Sequence, residues 1–227
     1  MNHVTIQTAT LASPRSNRLI MHVCRNSISL LDVMHRLFFD GLSHDACRKA
    51  VNELIEQRFI NKYDLWGNRK LYRIGPRAVS AFGWPRKRAD RPGPQRLPYL
   101  LGALNYTCMR ETVQKQLLAS ELKRKCPWFP DELIHPWAYT WRDEVLRTIR
   151  VEPRCGRPLR VVRKLTSQLY QYCGCPEVQR LQDEGRLIFA VVVASDEQAR
   201  VLRQANDDEG SPLHLETSVY SDLIRFI

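Results

Sequence analysis

Apolar positions in the first third of the chain recur at helical spacing in three successive stretches. In "NRLIMHVCR" Leu19, Ile20 and Val23 share one face. In "LLDVMHRLFF" Leu30, Val33, Met34 and Leu37 do the same, with Ser29 ahead of them as the predicted cap. Asp40-Gly41 marks a turn, and Ser43 is the predicted cap of a third helix. Its core side is Cys47, Ala50, Val51, Leu54 and Ile55. The period then shortens. "RFINKYDLWGNRKLYRIG" gives a strand with Phe59, Ile60 and Tyr63, a turn at Trp66-Gly67-Asn68, and a second strand over "KLYRI". Three helices followed by a hairpin predict a winged helix-turn-helix over residues 17–84, with residues 1–16 as a loosely docked or disordered leader.

The pattern breaks after Gly83. "GWPRKRADRPGPQRLP" carries Pro85, Pro92, Gly93 and Pro94, a composition that predicts an unpacked basic linker over residues 85–96. Residues 97–227 then read as a second domain. "LPYLLGALNYTCMRETVQKQLL" is helical in pattern, with Leu100, Leu104, Met109 and Val113 among its apolar positions. "LRTIRVEP" predicts a strand, and "LRVVRKLTSQLYQY" starts extended or helical and ends helical. "RLIFAVVVAS" is a strand covered on both faces. Ser195 then caps a helix over "SDEQARVLRQA", and "PLHLETS" is a last candidate strand. Strand–helix–strand order implies an α/β sheet, so the whole chain is expected to be α+β in class.

Charge sharpens the reading of the first domain. The 227 residues carry a formal net charge of +11, which favours a polyanionic partner over a neutral one. Residues 1–90 hold 15 Lys and Arg against 7 Asp and Glu, while the remainder hold 20 against 17, so the excess sits in the winged-helix region. The outward stripe of the third helix is His44, Arg48 and Asn52, with Lys49 beside it. Arg pairs bidentately with guanine and Asn with adenine, and Lys suits phosphate. Asn68, Arg69 and Lys70 at the hairpin tip are positioned to touch a sugar–phosphate backbone as a wing, and Arg86, Lys87 and Arg88 in the linker either track phosphates or simply solubilise the linker. The competing reading of the stripe is an ordinary solvated helix face, or a winged helix that docks protein.

Other classes recede. No continuous apolar run reaches the roughly 18 residues of a membrane span. The first residues lack the charged-then-apolar pattern of a secretory signal. Seven scattered cysteines argue against a disulfide framework and for a reducing, cytoplasmic setting. Cys173 and Cys175 form a C-x-C pair without a second pair at zinc-finger spacing, so idle or buried thiols are expected there, with a metal site as the alternative.

One constellation in the second domain suggests chemistry. Asp131, after Pro130, precedes the strand that carries Glu152, and Lys164 lies downstream. Two carboxylates that hold Mg²⁺ and a lysine that orients water are the parts of a metal-dependent nuclease. Here the carboxylate-x-Lys triplet reads Glu152-Pro153-Arg154, and Arg stays protonated and makes a poor base. The alternative is structural: Asp131 capping a turn, Glu152 paired with an Arg, Lys164 in solvent.

The order "SISLLDVMHRLFFDGLSHDACRKAVNELIEQRFINKY", "LYRIG", "LPYLLGALN", "PD", "IRVEP", "RKLTSQLYQY", "LIFAVVVAS", "LHLETSVYSDL" resembles the plasmid replication-relaxation family. The resemblance implies a winged helix joined to a restriction-endonuclease-like α/β domain. It implies a motif of Pro130-Asp131, Glu152, Lys164-Leu165 and Tyr172, with Arg154 where the family carries an aspartate. The expectation is a DNA-binding protein of plasmid or mobile-element maintenance or of transcriptional control. Its second domain is expected to be catalytically inactive, serving dimerisation, partner docking or further DNA contact. The partners expected are double-stranded DNA and a second copy in a homodimer. No cofactor is expected unless the domain is an Mg²⁺-dependent DNA nuclease.

Overall fold

The computed structural model describes residues 13–129, 138–172 and 174–227. The chain divides into two compact units, Met1–Gly93 and Pro94–Ile227. No helix among the described residues is long and apolar enough to cross a membrane. Both units mix helix and strand, so the chain is α+β.

The first unit runs α1 (Pro14–Asn26), β1 (Ser29–Leu30), α2 (Leu31–Phe38), α3 (His44–Glu56), β2 (Ile60–Asp64), β3 (Lys70–Ile74) and α4 (Pro76–Ala81). Helix α1 begins inside the expected leader. Ser13 Oγ accepts from the Ser16 N–H, and Pro14 fills the first helical position, where its missing N–H costs nothing. The rest of the expected leader, residues 1–12, lies outside the described residues.

Ser29 does not cap α2. The cap position is Leu30, without a side-chain bond, and Ser29 and Leu30 instead pair with Tyr72 and Leu71 as a third strand. The sheet is therefore antiparallel in the order β1-β3-β2 rather than a bare hairpin. Ser29 is drawn inward by a buried polar cluster. Asn26 Nδ2 donates to His22 Nδ1 at 3.1 Å, which leaves His22 Nε2–H to donate to Ser29 Oγ at 2.9 Å. Burial, then the nearby Arg25 charge, lowers the His22 pKa to about 4.

Helix α3 is as the periodicity predicts. Ser43 Oγ accepts from the Ala46 N–H at 3.2 Å. Cys47, Val51 and Leu54 are buried, and Ala50 and Ile55 flank them half-buried. Leu37 of α2 is half-buried, and Phe39 takes the core place beside it. These residues share one core with Leu19, Ile20, Val23, Met34 and the inward side of the sheet.

The expected linker is partly packed. Arg86–Ala89 forms a 3-10 turn, and Ala89 is buried. Buried Arg73 donates from Nε to the Arg88 carbonyl at 2.6 Å, and the Ala89 carbonyl accepts from Tyr63 Oη at 2.6 Å and Asn61 Nδ2 at 3.1 Å. Proline-rich composition removes backbone donors but leaves the carbonyls, and this sheet face supplies donors for them.

The second unit contains α5 (Leu97–Cys108), α6 (Ala119–Lys125), β4 (Ala138–Arg142), β5 (Val145–Val151), α7 (Pro158–Tyr172), α8 (Pro176–Asp183), β6 (Leu187–Val193), α9 (Asp196–Asp208) and β7 (His214–Val219). The sheet order is β4-β5-β6-β7, with β4 antiparallel to β5 and the other neighbours parallel. The two parallel steps move in the same direction, so right-handed crossovers carry α7, α8 and α9 to one face. Phe189, Val191, Val162, Leu165, Leu181 and Leu202 form the core there.

Helix α5 covers the other face. It ends at Cys108, well short of the long helix expected. Beyond it Gln114 is buried and accepts from Thr140 Oγ1 at 2.7 Å, and the Leu117 N–H bonds the Tyr139 carbonyl. Pairing with the edge of β4 thus replaces helical bonds. Ser195 caps α9 as expected, accepting from the Gln198 N–H.

Gly102 lets α5 lie directly on β5: a Cβ there would meet Val151 Cγ1 at 2.6 Å. Gly102→Ala should therefore destabilise the second unit by roughly 1–3 kcal/mol, the usual cost of overpacking. Val151→Ala in the same chain should recover part of the loss, as read by urea denaturation.

The His22 cluster makes stability depend on pH. The unfolded chain binds a proton near pH 6.5, while the folded chain refuses it down to about 4. This contribution is complete above the upper value and is lost as pH falls through that window, on the order of 3 kcal/mol in all. The denaturation midpoint of wild type should fall more steeply between pH 7 and pH 5 than that of His22→Gln.

Candidate nucleic-acid interface

The buried stripe of α3 turns its opposite face outward. His44, Arg48, Lys49 and Asn52 are all exposed on that face. The His44 ring stacks on His35 of α2 at 3.8 Å between centroids and 11° between planes. His35 is fixed in turn by donating from Nε2 to the Leu42 carbonyl at 2.8 Å. This stack joins the start of α3 to α2. Arg48 is 3.2 Å from Asp45 one turn earlier, with side chains 59% and 82% exposed. An exposed pair of this kind holds a geometry but contributes little energy, so a stronger anion can displace it.

The β2–β3 turn holds three of the predicted backbone-contacting residues. Asn68 is exposed beside Gly67, whose positive φ closes the turn. Arg69 lies over the Trp66 ring at 5.8 Å and reaches Asp32 of α2 at 3.9 Å. Lys70 pairs with Asp64, directly opposite it in the β2–β3 register. The Lys70 hydrogen bond and charge hold the Asp64 carboxyl below the usual carboxylate range.

Arg86, Lys87 and Arg88 are exposed on the 3-10 turn, and the Arg88 guanidinium stacks on Trp84 at 4.2 Å. The cations predicted on α3 and on this turn are thus exposed, whereas Arg69 and Lys70 of the hairpin are half-buried against their partners. The partners Asp32, Asp45, Asp64 and Trp84 were not singled out in the sequence, and Trp66 was read only as part of the turn. Only the Asp45–Arg48 spacing could have been read there.

The second constellation fares differently. Asp131 lies outside the described residues. Glu152, just past the end of β5, pairs with Arg150, and its N–H bonds the Val192 carbonyl. Lys164 is exposed on α7. Glu152 is engaged by Arg150 rather than by Lys164, and none of the described His, Cys, Asp and Glu side chains gather in groups of three or more suited to a metal ion. Cys173 also lies outside the described residues, and Cys175 donates to Glu177.

One polar cluster of this unit went unread in the sequence. Glu216 of β7 accepts from Tyr106 Oη at 2.9 Å, from Arg110 and, at 3.5 Å, from Arg147. It ties α5, β5 and β7 together on one face of the sheet.

No protein-family model, curated protein or solved structure matches this chain. Its reading therefore rests on its own residues.

The His44 ring should matter to α3 through the stack alone. His44→Ala should lower the thermal midpoint modestly, and His44→Phe, which keeps an aromatic face, should restore most of it. Differential scanning fluorimetry at pH 7.5 reads both.

Proposed function

We propose that the protein binds double-stranded DNA with a sequence preference, using a winged helix-turn-helix in its first unit and α3 as the recognition helix. The observation that carries this reading is the exposed His44-Arg48-Lys49-Asn52 stripe on the third helix of an α1-β1-α2-α3-β2-β3 chain order. The strand order β1-β3-β2 supports it, because it makes the β2–β3 turn a projecting wing. The net charge of +11, concentrated in residues 1–90, supports it independently.

In this reading Arg48 exchanges Asp45 for a guanine edge, and Asn52 reads adenine. Asp45 then acts as a selectivity device, since Arg48 leaves it only for an acceptor of good geometry. Lys49, Asn68, Arg69, Lys70 and the Arg86–Arg88 turn contact phosphates and fix the orientation. The second unit acts as a nuclease-like scaffold without catalysis. Engagement of Glu152 by Arg150 and the presence of Arg154 at the second carboxylate position support that view. The resemblance to the replication-relaxation family supports a role in maintenance of plasmid or mobile-element DNA, or control of its promoters.

Selection from a random duplex library, followed by fluorescence anisotropy, tests the proposal. Arg48→Ala should cost roughly 1–3 kcal/mol on the selected site and flatten preference. Arg69→Ala should weaken all duplexes alike and reduce the salt slope by about 1. Equal losses on selected and random DNA for Arg48→Ala would reject α3 as the reader. No anisotropy rise at low salt would reject DNA binding and favour a protein-docking role.

A further inference from the structure

Strand β7 ends the second sheet, and among the described residues of this unit no strand pairs with its outer edge. The opposite edge, β4, is not open: Gln116 bridges to Thr140, and the Leu117 N–H bonds the Tyr139 carbonyl. The ladder from β6 to β7 is regular over all six pairs, Ile188–His214 to Val193–Val219. In a parallel ladder, alternate residues direct their backbone groups to a given neighbour. The Tyr220 N–H bonds the Val193 carbonyl, and that sets the phase. His214, Glu216 and Ser218 therefore face β6, while Leu215, Thr217 and Val219 turn N–H and C=O toward the open edge.

Natural edge strands are usually blunted by Lys, Pro or a bulge. "HLETSV" contains neither Lys nor Pro, and its register is unbroken. The side chains of Leu215 and Val219 sit at the rim of the core under α7, α8 and α9, only partly covered. Thr217 lies between them on the same face, where its Oγ1 accepts from Arg203 of α9 at 2.7 Å.

We propose that β7 pairs antiparallel with β7 of a second copy of this chain, about a two-fold axis at Thr217. The chemistry is self-complementary in that register. Thr217 faces Thr217, and Leu215 faces Val219 in both halves; each of these three facing pairs exchanges two backbone hydrogen bonds. Threonine across threonine and aliphatic across aliphatic are favourable cross-strand neighbours. On the other face Glu216 meets Ser218 and His214 meets Tyr220, so no like charges stand opposite one another. A shift that centres the axis on Glu216 would place two carboxylates opposite one another, which like-charge repulsion disfavours. The contact is isologous and closed, so it ends at two chains. It does not rest on the DNA-binding reading, and it can fail while that reading stands.

Light scattering behind size exclusion tests the pairing on the full chain in the absence of DNA. Wild type should run at twice the 26.5 kDa chain mass. Thr217→Lys puts two ammonium groups face to face and should run at the single-chain mass with an unchanged far-UV spectrum. Thr217→Pro removes an outward N–H that β6 does not use, a substitution an edge position tolerates, and should also run as one chain. Mixing Thr217→Lys with Thr217→Glu protein should restore the double mass. Wild type at the single-chain mass up to the highest soluble concentration would overturn the proposal. A double mass that survives both Thr217→Lys and Thr217→Pro would overturn it equally, because the contact would then lie elsewhere.

Discussion

Burial of one stripe of α3 is the constraint on which the first unit depends. Cys47, Val51 and Leu54 recur at helical spacing and are removed from water against α1, α2 and the sheet. A helix has one rotation that buries such a stripe, and that rotation fixes which side chains point away. His44, Arg48, Lys49 and Asn52 are outward because Cys47, Val51 and Leu54 are inward. The His35–His44 stack and the Ser43 cap then hold the start of the helix, the end that a recognition helix would offer to base edges. The functional proposal thus derives from packing as much as from charge.

The same logic governs the second unit on a larger scale. Val191 and Phe189 bury toward α7–α9, while α5 seals the reverse face by close approach at Gly102. The Glu216 carboxylate on that reverse side is matched by a tyrosine and two arginines. A charge removed from water is tolerable only with such partners, and losing one of them would leave the rest uncompensated. The cluster therefore explains itself as architecture and requires no substrate.

What could be read from the sequence followed from periodicity. The spacing of Leu19, Ile20 and Val23, of Cys47, Val51 and Leu54, and the run "LIFAVVV" each announced an element that the structure contains. Three features escaped for physical reasons. Strand β1 is two residues long and exists only because Leu71 and Tyr72 offer it a partner, which is a tertiary cause. The stretch after Cys108 kept a helix-like pattern, but bonding to Thr140 and Tyr139 across the chain outweighed it. The basic turn at Arg86–Ala89 looked like free linker because its anchors, Arg73, Tyr63 and Asn61, read as ordinary strand residues. The candidate cations of α3 and of the Arg86–Ala89 turn were legible as exposed side chains, whereas the half-burial of Arg69 and Lys70 and the acidic neighbours depend on which helix and strand ends meet.

The His22–Asn26–Ser29 cluster has an evolutionary corollary. Asn26 and Ser29 each bond one nitrogen of the buried His22 ring, so replacing His22 takes a side-chain partner from both, and replacing either of them leaves a ring nitrogen without its partner. Replacing all three by aliphatic residues of similar shape would remove that cost at a stroke. Among descendants of this sequence the trio should be inherited as a block, kept whole or discarded whole.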